Sequence, residues 1–537
     1  MRSSVRYARW GLRLLVPVLL AGTAGGAGGQ PPAGFVRVDG DRFLLGDAPF
    51  YHLGADCYYL MTYAADPALR PRVDEVLRAA AAVGLRTIRT WAFNDGAGWH
   101  ALQTAPGVYD ETVFQGLDYV VQECDSLGLR LVLPLVNNWV DYGGMDQYVA
   151  WSPTASTHDD FYTDPSCRGW YKDFAATVLA RYAGNPAILA WELANEPRCA
   201  SDPSGDTLQG WIEEMSAYLK SLDPDHLVAT GSEGFFSGTS GSWWLDGSLG
   251  VDYLRNHAPA AVDFAVGHSW PDAWGLSDTQ ALDLLARQAD GAAQLLGKPL
   301  VLEEFGKPRD GVAVRAPAHY DPRTYFAPGV RPHPVPGAGP VTVDPRRRAT
   351  AYADPVRPSA NPEAAARAST GVRDSYFRDA VGLLFARGGD GACFWALHDD
   401  AYPDADGYGV YLPGDASTLA TLRDLVELAE YLNGGGGPLP EVPRVWLGYP
   451  SPNPFREDLA VLLSATVAGA LDRVAVTVHD PSGRLVRRLW EGHPAVGDSR
   501  LTWDGLTGWG APAASGVYFI RLAGPGFVVE RRVVRLR

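Results

Sequence analysis

Eight short apolar segments, each ending in a polar or aromatic tail and followed by an amphipathic stretch, predict an α/β chain whose parallel strands close into a (β/α)8 TIM barrel. A change to short alternating strands after residue 433 predicts a small all-β sandwich behind it. Three observations carry this reading. The strand-then-helix theme repeats from residue 48 to 398, the segments between strands have apolar residues at three- and four-residue spacings, and 537 residues exceed what a barrel alone needs.

Taken from the start, Arg2, Arg6, Arg9 and Arg13 precede the apolar run Leu14–Leu20, and an Ala/Gly-rich stretch follows to Gly29. This is the pattern of a secretory signal peptide over residues 1–29, too short for a membrane span; the alternative is an N-terminal anchor left uncleaved. No other stretch is apolar enough to cross a bilayer. The barrel unit is expected over 30–433, with strands at Phe50–Tyr58, Thr87–Trp91, Leu129–Val136, Ile188–Leu193, Leu227–Gly231, Val262–His268, Leu300–Glu304 and Ala392–Leu397. Helices are expected at Val73–Val83, Phe114–Leu127, Trp170–Tyr182, Leu208–Leu222, Ala281–Leu296 and Asp374–Ala386. A Pro/Arg/Ala-rich insertion at about 307–370 interrupts the pattern; following the seventh strand, it is expected to border the cleft. The run Gly434-Gly-Gly-Gly-Pro-Leu-Pro440 opens a linker over 434–448, and the sandwich is expected over 449–537, with strands such as Val474–Val478 and Val517–Leu522 and turns at Asp480–Gly483 and Asp504-Gly505.

Composition excludes one class of partner. With 20% charged residues and a formal net charge of -16, the surface repels phosphate backbones and offers no basic patch for nucleic acid. Seventeen Trp supply either bulky core or flat faces on which sugar rings stack. Five Cys leave at least one thiol unpaired. Cys167 and Cys199 stand in polar, loop-like contexts and are able to pair; Cys57 and Cys393, on the first and last strands, either pair or stay reduced as small core residues.

The polar residues gather just after the strands, in Arg89-Thr-Trp-Ala-Phe-Asn-Asp95, Val136-Asn-Asn-Trp139, Ala194-Asn-Glu-Pro-Arg198, His268-Ser-Trp-Pro-Asp272 and Glu303-Glu-Phe-Gly306. In a barrel these ends form one face, the catalytic one. Hydrolysing a glycosidic bond takes two carboxyl groups flanking it, and two strand ends offer them: Glu196 on the fourth, Glu303 or Glu304 on the seventh. Alternation along a strand lets only one of Glu303 and Glu304 face the mouth, without saying which. Glu192 shares a face with Glu196 one layer deeper, where an acid is a buried partner, for instance of Arg89.

Asn195-Glu-Pro197 at a fourth strand with Glu304-Phe-Gly306 at a seventh resembles glycoside hydrolase family five, in which the nucleophile directly precedes the aromatic-Gly pair; the resemblance selects Glu304 as nucleophile and Glu196 as acid/base. Leu135-Val-Asn-Asn-Trp-Val-Asp-Tyr-Gly-Gly144, Gln147-Tyr-Val149, Asn195-Glu-Pro-Arg-Cys199, Trp211–Pro224 and Glu233-Gly-Phe235 are similar to the endo-β-1,4-mannanases of plants and fungi, over roughly residues 35–432 apart from the insertion. The resemblance implies that Asn195 bonds the 2-hydroxyl of the sugar at subsite −1, that Arg89 keeps Glu304 ionised, that His268 lines that subsite and that Trp395 is its floor. It further implies that Arg198 binds sugar on the leaving-group side and that Trp139 is a cleft-wall platform. Each has a plain structural alternative: core packing for His268, Trp139 and Trp395, an ion pair for Arg198, and a strand-end ion-pair network for the glutamates. One departure stands out: many members have Tyr two positions after the strand-six His, where this chain has Trp270, so support of the nucleophile is expected to be rearranged.

The activity implied is retaining hydrolysis of internal β-1,4-mannosidic bonds in mannan, glucomannan or galactomannan, needing no cofactor and no metal. The alternatives are the same chemistry on β-1,4-glucan, or a non-catalytic glycan-binding surface protein. Behind the barrel, Pro452-Asn-Pro-Phe455, Val478-His-Asp-Pro-Ser-Gly-Arg484, Trp503-Asp-Gly505 and Ser515-Gly-Val-Tyr518 resemble immunoglobulin-like C-terminal domains of exported bacterial proteins. That likeness implies a secreted or cell-surface protein whose partners are β-mannan and, through the sandwich, a secretion apparatus or the cell surface.

Overall fold

The computed structural model describes residues 34–238, 242–309, 370–399, 401–402, 407–412, 414–434, 445–447, 450, 455–465, 473–494, 497–524 and 527–536. The expected signal peptide, all but the edges of the long insertion, and residues 435–444 and 448 of the expected linker lie outside these residues, while Val445–Leu447 form a strand.

Eight parallel strands form the first unit: β1 (His52–Asp56), β2 (Thr87–Arg89), β3 (Arg130–Pro134), β4 (Ile188–Glu192), β5 (Leu227–Ala229), β6 (Ala265–Ser269), β7 (Leu300–Phe305) and β8 (Gly391–Phe394). They pair in sequence order from β1 to β5, while β8 pairs with both β1 and β7, and β7 with β6. The gap between β5 and β6 is bridged just before β6 begins: Asp263 N–H donates to the Val228 carbonyl at 2.8 Å, and Val228 N–H donates to Asp263 Oδ2 at 2.7 Å. The fold is thus a (β/α)8 barrel with one seam closed by a loop residue. All eight expected strands are present, most shorter at the carboxyl end, because the polar tails leave the ladder to build loops.

The helices begin earlier than their apolar periodicity suggests, since caps extend them. Asp110 accepts from Thr112 N–H and starts Glu111–Leu127; Asp164 accepts from Ser166 and Cys167 and starts Pro165–Tyr182; Ser277 and Gln280 form a capping box at Asp278–Gly291. A hairpin, Val36–Asp39 with Arg42–Leu45, seals the amino-terminal end: Val36 and Phe43 pack with Val132, Leu189, Phe264, Val266 and Val301. With that end plugged, the barrel opens only toward the strands' carboxyl ends.

The second unit has two antiparallel sheets. One holds β9 (Val445–Leu447), β10 (Leu459–Ala465) and β13 (Gly497–Trp503); the other holds β11 (Val474–His479), β12 (Leu485–Gly492), β14 (Gly516–Gly524) and β15 (Phe527–Arg535). Phe455, Val461, Val476, Trp503, Ile520 and Leu522 form its core. All five cysteines are free and buried, so the possible Cys167–Cys199 pair is not made and Cys57 and Cys393 are core thiols. Among the described residues no helix is long and apolar enough to cross a membrane.

Candidate active site

Glu196 leaves β4 in a left-handed conformation, φ 52°, costing about 1–3 kcal/mol for a residue with a side chain. Neighbouring backbone holds it there: Glu196 N–H donates to the Gly231 carbonyl at 2.8 Å. Gly231 is required at that approach, because a Cβ would lie 1.9 Å from the Ala194 carbonyl oxygen. The carboxyl is buried and accepts from Trp139 Nε1 at 2.6 Å through Oε2, while Oε1 shares a 2.8 Å hydrogen bond with His268 Nδ1.

Glu304, near the end of β7, accepts from Arg89 Nη1 at 2.5 Å and from Trp270 Nε1 at 3.2 Å. His268 Nδ1 stands 3.5 Å from its Oε2, so one imidazole nitrogen sits between the two carboxyls. One carboxyl oxygen each of Glu196 and Glu304 and a ring nitrogen of His268 lie within 4.8 Å of one another. That nearest approach is shorter than the ~6.5–9.5 Å that inverting glycosidases keep between their carboxyls and is compatible with the ~5–5.5 Å of retaining ones.

Burial raises the pKa of Glu304, the Arg89 guanidinium pulls it back, and Glu196 raises it further. Arg89 stands on the Glu304 carboxyl and favours its ionised form, against the larger effect of burial. Burial likewise raises Glu196, opposed by Arg198, the Trp139 N–H and Arg89. Two anions this close repel, so one proton resides on the pair. His268 is held neutral by burial, which lowers its pKa.

Arg89, on β2, is fully buried and spends all five N–H donors: Nε and Nη2 on Glu192, Nη2 also on Asn195 Oδ1, Nη1 on Asp56 and Glu304. Glu192 is thus the deep partner expected. Asn195 Oδ1 is fixed by this guanidinium and its Nδ2 donates to Asn137 Oδ1 at 3.0 Å, which orients the amide. Both adjacent glutamates are buried, and the register of β7 shifts between Leu302 and Phe305. Only Glu304 joins the Arg89–Trp270–His268 cluster. Among the described residues neither carboxyl oxygen of Glu303 has a hydrogen-bond partner, and burial followed by Glu192 pushes its pKa well above the carboxylate range, leaving a neutral acid.

Trp270 answers the departure noted in the sequence: its indole N–H serves Glu304 directly. The larger ring fits because Gly306 has no side chain; a Cβ there would come within 2.6 Å of Trp270 Cζ3 and 2.9 Å of the Tyr408 ring. Trp395 is half-buried, stacked on Tyr58 at 4.9 Å and 8°, and meets Trp270 edge-on at 5.8 Å. Trp139 is half-buried as well, with its N–H committed to Glu196.

Arg198 needs a correction. Its side chain has 0% exposure, with its fork on the buried Glu233 (Nε to Oε2 2.7 Å) and its guanidinium between Trp139 at 5.0 Å and Phe235 at 5.5 Å. It braces Trp139 from behind and has no surface on the cleft to offer a sugar. Sequence reasoning gave no roles to Asp56, Asn137, Tyr58 or Glu233. An acid inside an otherwise apolar strand was the available signal for Asp56, and Glu233-Gly-Phe235 was seen as a motif without its partner.

Glu196, His268 and Glu304 are also the described group most like a metal-binding set. Its chemistry argues otherwise: the carboxyls already accept N–H bonds from Trp139, Trp270 and Arg89, and a divalent cation would face the Arg89 guanidinium.

Two buried carboxyls, one at the end of β4 and one at the end of β7 of a (β/α)8 barrel, the latter on an arginine, are the pair that glycoside hydrolysis requires. Residues 33–406 match the GH family 5 beta-mannosidase-like model, and the chain belongs to glycoside hydrolase family 5. It is 46% identical over 296 residues to mannan endo-1,4-beta-mannosidase 8 of Oryza sativa subsp. japonica, covering 50% of this chain and 79% of the relative. With mannan endo-1,4-beta-mannosidase 3 of Arabidopsis thaliana it shares 40% over 321 residues, 55% and 77% of the two chains. A further Oryza sativa relative is 47% identical over 300 residues, and the chain spans 61% of its length. The solved endo-beta-1,4-mannanase of Thermotoga petrophila superposes with a TM-score of 0.62 at 27% identity, covering 90% of this chain and 97% of that one. Residues 455–525 match a FlgD Ig-like domain.

Proposed function

We propose that the chain is an endo-β-1,4-mannanase working by double displacement, with Glu196 as acid/base and Glu304 as nucleophile. The observation that carries this is the 4.8 Å convergence of the two buried carboxyls around one neutral imidazole. The protonated Glu196 gives its proton to the glycosidic oxygen as the bond to the anomeric carbon breaks, and Glu304 forms an ester with that carbon. A water that yields its proton to Glu196 then displaces Glu304 and restores both groups with retained configuration.

Around the pair, Arg89 holds the Glu304 carboxylate in line, Asn195 meets the 2-hydroxyl, and Trp395 supports the sugar at subsite −1. Trp139 positions Glu196 through its N–H. Mannan as substrate is supported by the relatives' names and by the motifs shared with them. We take residues 30–433 as the catalytic unit and the sandwich, expected over 449–537 but already begun by β9 at Val445–Leu447, as an appended module. We further place the protein outside the cell, on the strength of the N-terminal Arg-flanked apolar run; the sandwich is then suited to a secretion apparatus or the cell surface. The test is reducing-sugar release from mannan against carboxymethylcellulose: release from mannan is expected, and release from the glucan alone overturns the substrate assignment.

A further inference from the structure

The catalytic unit leaves one conspicuous aromatic unexplained. Trp509, in Thr507-Gly-Trp-Gly-Ala511 between β13 and β14 of the sandwich, is 97% exposed, while Trp503, six residues earlier, is completely buried. A single exposed ring is ordinary by itself; what sets Trp509 apart is how completely its faces are bared and how its segment is fixed. The segment that carries it is held firmly. Thr507 N–H donates to the Ala511 carbonyl at 2.8 Å, Gly510 N–H to the Thr507 carbonyl at 2.9 Å, and Gly508 N–H to the Val486 carbonyl at 2.8 Å. Beneath it Leu506 bridges to Pro512, Trp503 Nε1 donates to the Leu506 carbonyl at 2.9 Å, and Arg487 Nη1 donates to the Thr507 carbonyl at 2.9 Å.

The neighbours of the ring are as informative as its exposure. Gly508 and Gly510 flank it on either side, and no heavy atom approaches within 4 Å of where a Cβ on Gly510 would stand, so the backbone beside the indole is bare. At the base of the turn Arg487 and Asp504 stand 3.7 Å apart with 33% and 48% side-chain exposure, offering a donor fork and an acceptor.

A protein interface needs on the order of 1,000 Å² with an apolar core, and a single ring among glycines supplies a fraction of that. The axial C–H face of a pyranose needs only one rigid, bare aromatic face and a few polar groups at its edge. We propose that Trp509 is the platform of a second glycan-binding site, carried by the sandwich and not by the barrel, that takes a β-1,4-linked polysaccharide chain and holds the enzyme on insoluble substrate. The identity of that polysaccharide rests on the mannan reading above.

The two sites act through avidity, so removing the second lowers retention on a solid without touching turnover. The full chain carrying Glu304→Gln, which spares the polymer, is depleted from solution by insoluble β-1,4-mannan. Adding Trp509→Ala is expected to weaken partition about tenfold, as for a dominant aromatic anchor, while Trp509→Phe keeps most of it. In the active chain, Trp509→Ala should leave the rate on soluble manno-oligosaccharide unchanged. Equal partition of the Trp509→Ala and parent chains overturns the proposal. So does unchanged partition accompanied by loss of self-association in sedimentation, which assigns Trp509 to a second copy of the chain. If the active parent does not hydrolyse mannan, the mannanase reading fails instead, and the same depletion series on insoluble β-1,4-glucan still decides Trp509.

Discussion

Replacing Trp270 with Phe removes one N–H from Glu304 while keeping an aromatic ring against Trp395 and Tyr408. The bond is 3.2 Å, at the long edge of the hydrogen-bond range and beyond the usual charge-assisted distance, so its value lies at the low end for a charged partner, about 1.5 kcal/mol. Arg89 still holds the other oxygen at 2.5 Å, which prevents collapse of the nucleophile's position. The loss translates into about a tenfold fall in kcat/KM. The direction in pH follows from the same bond. Burial already raises Glu304, and deleting a donor to its ionised form raises it further, so the acid limb of kcat/KM must move to higher pH. The assay is a pH–rate profile on a manno-oligosaccharide for both chains. A fall in rate with the acid limb in place would show that the indole shapes the subsite without supporting Glu304.

Glu303 and Arg198 yield two stability predictions. Because the folded pKa of Glu303 lies above its ordinary value of ~4.3, its protonated form stabilises fully below that value and progressively less as pH rises toward the folded pKa; Glu303→Gln should match the parent's Tm near pH 4 and exceed it increasingly toward neutrality, and a constant difference in melting scans contradicts a neutral acid. Arg198→Lys keeps the charge but loses the fork on Glu233, so about 1–3 kcal/mol of stability should be lost in denaturant titrations, with Trp139 and Glu196 less well held; unchanged stability together with weaker leaving-group-side binding would return Arg198 to the cleft. A chain ending at Gly434 should hydrolyse soluble mannan at the parent rate, since every active-site residue precedes it and Asn433 keeps both bonds to the Tyr51 backbone, at 2.6 and 2.8 Å. Loss of that activity in a folded truncate contradicts an appended module.

The barrel was readable because each strand is an apolar run with a polar tail, a signal local in sequence; that is how the ends carrying Arg89, Glu196, His268 and Glu304 were found. What lay beyond reach depended on contacts between distant segments or on departures from ideal geometry. Strand alternation left Glu303 and Glu304 equivalent, because every residue of β7 is buried and only the partners on other strands tell the two apart. Arg198 was expected on the cleft because the partner that withdraws it, Glu233, lies 35 positions away on another strand end. The Trp139 N–H bond to Glu196 spans 57 positions and has no local signature. Trp270 was legible as an oddity, yet only the gap left by Gly306 explains how its indole reaches Glu304.

The central claim is that Glu304 forms a covalent bond to the sugar while its equally buried neighbour does not. The direct measurement is to trap that ester with a 2-deoxy-2-fluoro-mannosyl donor bearing a good leaving group, digest the protein and locate the label by fragment-ion mass spectrometry. One sugar on the peptide containing Glu303-Glu304, with the fragment series placing it on Glu304 and absent from the Glu304→Gln chain, is the predicted result. A label on Glu303, or first-formed products of inverted configuration with no label at all, would contradict the account.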